Sequence, residues 1–250
     1  MRLIGVIHLP PLPGSYKYSG NFEEIIDFAI NEAKKIEEGG FDALILENFH
    51  DNPFRKRVRR ETSIAMGIIA REVKKSVSIK VGINLLRNST YDSVVIAGLT
   101  GDFVRVNALC ETISSPEGII EPTAVEAFEA MFYLKKKITI LADIFVKHAS
   151  PLHQRNIRDV VLDCIERNGA DYLIVTGSRT GEEVDLKLLK KVKSYSPVPV
   201  CIGSGITSEN ISKYMADCFI IGTYLKDNNG RINLEKVKRI ANAYKNLYNR

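Results

Sequence analysis

The sequence predicts an α/β fold: a single closed (β/α)8 barrel, or TIM barrel, with residues 1–250 forming one domain. Three observations carry that expectation. Short apolar runs rich in Val, Ile and Leu alternate with longer helix-period patterns eight times along the chain, the rhythm of a parallel sheet covered by helices. The length of 250 residues, 45% of them apolar, suits one large core and is the usual size of this barrel. The last two runs end in glycine with a hydroxyl residue, Gly203-Ser204-Gly205 and Gly222-Thr223, where such barrels commonly hold phosphate on uncovered backbone amides. An open doubly wound sheet is the competing arrangement. It would carry a Gly-x-Gly-x-x-Gly turn after its first strand, and here prolines follow instead.

Each unit has its own signals. Residues 2–8 form the first strand, stopped by Leu-Pro-Pro-Leu-Pro-Gly at 9–14. Residues 22–38 place Ile25, Ile26, Ala29, Ile30, Ala33 and Ile36 at helical spacing, with Asn21 as cap and Gly39-Gly40 as the stop. The second strand, 41–46, leads into Glu-Asn-Phe-His-Asp-Asn-Pro-Phe at 47–54, a basic run at 55–60 and a helix over 61–75. The third strand, 77–84, precedes a helix ending at 99, and the fourth, 103–107, precedes a long loop at 108–122 and a helix over 123–136. The fifth strand, 138–143, and a helix over 156–167 follow. Then come the sixth, 171–175, and a helix carrying Leu186, Leu188, Leu189 and Val192. The seventh, 198–202, leads to a short polar helix from residue 208; the eighth, 218–221, is closed by a helix over 233–248.

Composition narrows the function classes. The net charge is +5, but 35 basic and 30 acidic residues are interspersed, so no specific nucleic-acid footprint stands out and an anionic small molecule suits the charge equally. The run Arg-Lys-Arg-Val-Arg-Arg at 55–60 reads either as a phosphate, nucleic-acid or acidic-lipid patch or as a solvated loop or helix face. No apolar run reaches the ~18 residues of a membrane span and no signal peptide precedes the first strand, so a cytoplasmic protein without a transmembrane segment is expected, peripheral membrane contact and a homo-oligomer being left open. Cys110, Cys164, Cys201 and Cys218 match neither a zinc spacing nor a secreted disulfide framework and are expected as reduced core thiols.

In this fold, catalytic groups project from the carboxyl ends of the strands, and these ends are polar: His8, Glu47 with Asn48, Asn84, Asn107, Asp143, Thr176, Ser204 and Thr223. Turns favour such residues for local reasons, so the carboxylates carry the stronger signal. Glu47 and Asp143 would converge in one cavity, where desolvation raises a carboxylate pKa and fits the pair for acid and base roles. Lys147 and His148 follow Asp143 closely. The lysine could hold an anion, stabilise an enolate or form a Schiff base; the histidine could pass protons. Arg105 shares a strand face with Asn107 and needs a buried anion; Arg87 follows Asn84 as an anion contact. Neither His8 nor His148 has a ligand spacing, so neither a metal nor a cofactor is expected. Tyr16, Tyr18, Phe49 and Phe54 either stack a ring of the ligand or pack the mouth.

Together, Ile-His-Leu-Pro-Pro-Leu-Pro-Gly-Ser (7–15), the 47–54 segment, Asn-Leu-Leu-Arg-Asn (84–88), Val-Arg-Val-Asn (104–107), Leu-Ala-Asp-Ile-Phe-Val-Lys-His-Ala (141–149), Ile-Val-Thr-Gly (174–177) and Gly-Ser-Gly-Ile-Thr (203–207) resemble the BtpA/SgcQ family. The loop at 110–120 departs from the pattern. The resemblance implies a barrel of the ribulose-phosphate-binding type and, through the family's name, a link to photosystem I accumulation. Two functions are expected from it and from the residues. One is a metabolic enzyme binding a phosphorylated sugar or nucleotide-like molecule, with metal-independent acid/base chemistry of isomerase, lyase or glycosidic hydrolase type. In it Gly203, Ser204, Gly205, Gly222 and Thr223 hold phosphate, Asp143, Glu47, Lys147 and His148 are catalytic, and His8, Asn48, Asn84, Arg87, Arg105, Asn107 and Thr176 bind substrate. The other is a non-catalytic assembly or stability factor for a membrane complex such as photosystem I.

Overall fold

In the computed structural model, which describes residues 1–248, the barrel strands are β1 (Leu3–His8), β2 (Ala43–Glu47), β3 (Lys80–Asn84) and β4 (Phe103–Val106). Two short strands, β5 (Ile113–Ser115) and β6 (Gly118–Ile120), then interrupt the series. The barrel resumes with β7 (Thr139–Ile144), β9 (Tyr172–Val175), β10 (Val200–Ile202) and β11 (Cys218–Ile221), while β8 (Ser150–Pro151) lies outside it. The eight barrel strands close in sequence order and every pairing between them is parallel. The chain is therefore the closed barrel that the alternating pattern predicts, not the open sheet.

The helices are α1 (Phe22–Glu38), α2 (Arg60–Ser76), α3 (Thr90–Thr100), α4 (Ala124–Leu134), α5 (Ile157–Glu166), α6 (Leu186–Tyr195) and α7 (Leu234–Tyr248). Asn21 does cap α1, accepting from the Glu24 amide, and Ile25, Ala29, Ala33 and Ile36 form its buried stripe. The expected helix from residue 208 is a correction: the chain makes only a 3₁₀ turn, Ile211–Lys213. Side chains there compete with the helical ladder. Asn210 Oδ1 accepts from the Thr207 amide, its Nδ2 donates to Gly205 O, and Thr207 Oγ1 accepts from the amides of Glu209 and Asn210.

Residues that alternate along the strands sort into two cores. Leu3, Ile7, Leu44, Leu46, Ile83 and Val104 face the helices, whereas Ile4, Val6, Ile45, Phe103, Leu141 and Ile174 fill the barrel interior. Phe103 packs directly against Gly82, where a Cβ would sit 2.3 Å from its ring. The long loop after β4 holds a hairpin, β5 against β6, extended by β8 into a three-stranded antiparallel flap.

The cysteine expectation is also corrected. Cys201 and Cys218 are register partners on adjacent strands and are paired as a disulfide, as are Cys110 and Cys164. Spacing in sequence could not reveal pairs that the strand register creates. No helix among the described residues is long and apolar enough to cross a membrane.

Candidate functional site

The two-residue period that fills the interior with Ile4, Val6, Ile45, Phe103 and Leu141 also delivers the polar strand ends inward. Continuing β1, β2, β4 and β7 by that period reaches His8, Glu47, Arg105 and Asp143. His8 is the register partner of Glu47, and Glu47 of Asn84, so three adjacent strands end level.

Arg105 is the hub. Its Nε and Nη2 donate to Asp143 Oδ1 and Oδ2 at 3.2 and 3.0 Å, and its Nη1 lies 3.9 Å from Glu47 Oε2. Asn107 Nδ2 donates to Asp143 Oδ2 at 2.6 Å and Asn84 Nδ2 to Glu47 Oε2 at 3.0 Å. All five side chains are buried. Burial alone would lower the Arg105 pKa, but the charges of Asp143 and Glu47 outweigh it and raise the pKa. Both oxygens of Asp143 accept hydrogen bonds, whereas Glu47 Oε1 accepts none among the described residues.

A cavity of about 170 Å³ opens beside this network, lined by His8, Glu47, Arg105, Lys147 and the loops after β10 and β11. Its far wall is Gly203-Ser204-Gly205 and Gly222-Thr223, with Thr180 and Gly181 from the loop after β9. Gly203 and Gly222 occupy inward positions where larger side chains would fill the mouth: a Cβ on Gly222 would stand 3.2 Å from His8 Nε2. Gly205, at φ +70°, lies against Glu182 O, 2.4 Å from where a Cβ would sit.

The expected phosphate residues are not equivalent. The Gly203 amide is spent on Val175 O, and Ser204 Oγ accepts from the Gly177 amide while donating to Glu182 O. The Gly203 amide and the Ser204 hydroxyl are therefore structural ties, whereas the Ser204 amide is not engaged among the described residues. No hydrogen bond among the described residues occupies the amides of Ser204, Gly205, Gly222, Thr223 or Tyr224, so uncovered donors remain at four of the five expected residues and continue into the turn Thr223–Leu225.

Charge around the cavity is mainly positive. Burial, reinforced by Arg105 and opposed by Glu47 and Asp143, lowers the Lys147 pKa. Lys226, which the sequence reading missed because it lies beyond the glycine motif, is pushed down to about 8 by burial against the pull of Glu47 and Glu32. Burial, then Lys226 and Lys147, hold His8 well below 6.5, so its ring is neutral at pH 7. It stacks on Phe49 at 4.2 Å between centroids.

Other expected residues lie elsewhere. Asn48 is a buried brace, donating to Asp51 Oδ2 and accepting from the Leu86 amide. Arg87 Nη2 donates to Lys147 O, and its Nε lies 3.6 Å from Glu117 on the flap. His148 is exposed and faces a second cleft between the flap and the loop after β9, with Nε2 3.2 Å from Thr180 Oγ1. Thr176 also lines that cleft, its buried hydroxyl without a hydrogen-bond partner among the described residues. The basic run is tied down locally: Arg55 bonds Tyr16, Arg57 bonds Glu126, and Arg55 O and Lys56 O accept from the amides of Arg87 and Asn88. No group of three or more His, Cys, Asp and Glu among the described residues is arranged around a metal position.

A closed parallel barrel whose last two strands open into a glycine-walled cavity defines the class: a (β/α)8 barrel. The (S)-3-O-geranylgeranylglyceryl phosphate synthase of Thermoplasma acidophilum, solved with substrate sn-glycerol-1-phosphate, shares the fold at TM-score 0.62 and 16% identity over 98% of this chain and 93% of that one. The phosphoribosyl anthranilate isomerase of Thermus thermophilus does so at 0.59 and 13% over 99% and 100%. Within that class the chain belongs to the BtpA family, whose model matches residues 1–246. Relatives include a Pyrococcus horikoshii protein, 46% identical over 98% of this chain and 96% of its own length. The photosystem I biogenesis protein BtpA of Synechocystis is 39% identical over 92% and 82%.

Proposed function

We propose that the protein is a metabolic enzyme that binds a phosphorylated sugar or nucleotide-like small molecule at the carboxyl mouth of the barrel and moves a proton there. One observation carries the reading: a single cavity joins uncovered amides at Gly205, Gly222 and Thr223 to an open carboxylate oxygen, Glu47 Oε1, flanked by Arg105, Lys147 and neutral His8. The amides hold the phosphate without a counter-ion, as backbone donors do at such turns. Glu47 takes the proton, His8 is placed to relay it, and Lys147 with Arg105 stabilises the negative charge that develops. Asp143 acts through Arg105, since both its oxygens are already bonded. A two-carboxylate glycosidic hydrolysis needs two open carboxyl groups, so an isomerase- or lyase-type proton transfer suits this mouth better. The phosphorylated substrates in the names of the barrel neighbours agree with this reading.

Thermal shift with inorganic phosphate, sugar phosphates and their unphosphorylated parents tests it. A phosphorylated compound at about a hundred times its Kd should raise Tm by roughly 5–10 °C, and its parent should not. The variant Glu47→Gln should keep that shift and lose turnover. No shift with any phosphorylated compound would sink the proposal. The name of the Synechocystis relative favours a second reading, a non-catalytic assembly factor, for which the mouth would be a structural plug and Glu47→Gln silent.

A further inference from the structure

The outward face of α4 breaks the pattern of the barrel's outer ring. Helices α1 and α7 turn charged side chains to solvent, but α4, Ala-Val-Glu-Ala-Phe-Glu-Ala-Met-Phe-Tyr-Leu, exposes Val125 (79%), Phe132 (76%), Tyr133 (66%) and Phe128 (49%). Leu99 and Tyr91 continue the face on neighbouring α3, which is joined to the α4 unit by Thr90–Thr123 at one end and Lys136–Gly98 at the other. Beside the protruding Phe132–Tyr133 edge-on pair runs a groove of about 530 Å³ lined by Phe128, Met131, Ile165 and Ala170. Contiguous exposed apolar surface of this kind marks an interface.

We infer that this face is a self-association surface and that a second copy of the chain occupies it across a two-fold axis centred near Phe132. Three features point to a copy. An axis there sets Phe132 against Phe132 of the second copy, so one apolar patch lies on both sides, as an isologous contact requires. At on the order of 100 Å² of exposed side chain each, the six apolar residues present roughly 600 Å², near the ~800 Å² per partner of a stable interface once a polar rim is added. Charge is complementary as well: antiparallel packing of two α4 helices about Phe132 sets exposed Glu129 of one copy opposite exposed Lys135 of the other. The inference is independent of the proposed chemistry, since α4 lies on the outside of the barrel.

Sedimentation equilibrium of the full chain over a concentration series is the test. A dimer is expected. Phe132→Glu should raise its dissociation constant by about 30-fold or more while leaving the folded circular dichroism unchanged, because the residue is exposed. Glu129→Lys should weaken the dimer, and Glu129→Lys with Lys135→Glu should restore it. A monomer throughout, a dimer indifferent to Phe132→Glu, or a double variant no tighter than Glu129→Lys alone overturns the inference. So does a monomer that floats with anionic phosphatidylserine vesicles and loses that binding in Phe132→Glu, since a lipid surface would then occupy the face.

Discussion

Arg105 is the residue on which the mouth is built. Sealed in the barrel, its guanidinium is compatible with the core only because Asp143 takes two of its N–H groups and Glu47 stands opposite. Asp143→Ala would leave a buried cation with Glu47 at 3.9 Å as its nearest anion, so unfolding in urea should show a loss of about 3–5 kcal/mol. A loss under about 1 kcal/mol would mean that Arg105 finds another partner. Lys226 gives a second prediction, with a definite sign. Its pKa falls from 10.5 to about 8 on folding, so between those values the folded chain binds fewer protons than the unfolded one. Its contribution to stability therefore rises with pH through that window and is least favourable below pH 8. Lys226→Met should stabilise the protein at pH 7 and flatten the rise in Tm between pH 8 and 10.5. A rise as steep in the variant as in the parent would assign it to other groups.

At the scale of elements, the site is a set of loops held backbone to backbone. The loop after β9 folds onto the loop after β10, with Glu182 O receiving Ser204 Oγ and pressing on Gly177 and Gly205. Gly205 meets two demands together, a left-handed backbone and a neighbour that leaves no room for a Cβ. Gly205→Ala should therefore push the loops apart, lowering stability by about 1–3 kcal/mol and abolishing the Tm shift with phosphorylated compounds. Retained binding would place the anion on the amides of Gly222 and Thr223 alone. The flap's hairpin has a signal in sequence: Ser115-Pro116-Glu117-Gly118 is a turn with Pro second and Gly at φ +99°, joining two short strands. Its strands are only three residues long, and β5 is completed by residues 150 and 151 of β8, a long-range register that no local pattern announces.

For the whole molecule, the Cys110–Cys164 disulfide ties the loop after β4 to α5, and Cys201–Cys218 ties the two strands that frame the cavity. Closing the 54-residue separation restricts the unfolded chain, so reduction should lower stability by about 4 kcal/mol in the loop-entropy account. Thiol titration of the denatured, unreduced protein should find none of the four cysteines free, and four reactive thiols would remove both bridges. What was legible without coordinates follows from local periodicity. Apolar runs of strand length alternating with helical stripes such as Ile25, Ala29, Ala33 and Ile36 require a parallel sheet covered by helices, and parity along β4 puts Arg105 and Asn107 on one face. The polar strand ends and the terminal glycines were legible for the same reason. What tertiary structure alone decided is which partners those groups meet. Barrel closure turns Asp143 into the brace of Arg105 while leaving Glu47 Oε1 open, and it commits the Gly203 amide to Val175. It also swings His148 into another cleft, brings Lys226 to the mouth and lays Cys218 beside Cys201. Side-chain parity is a property of neighbouring residues, whereas hydrogen-bond saturation and pairing depend on registers between strands distant in the chain.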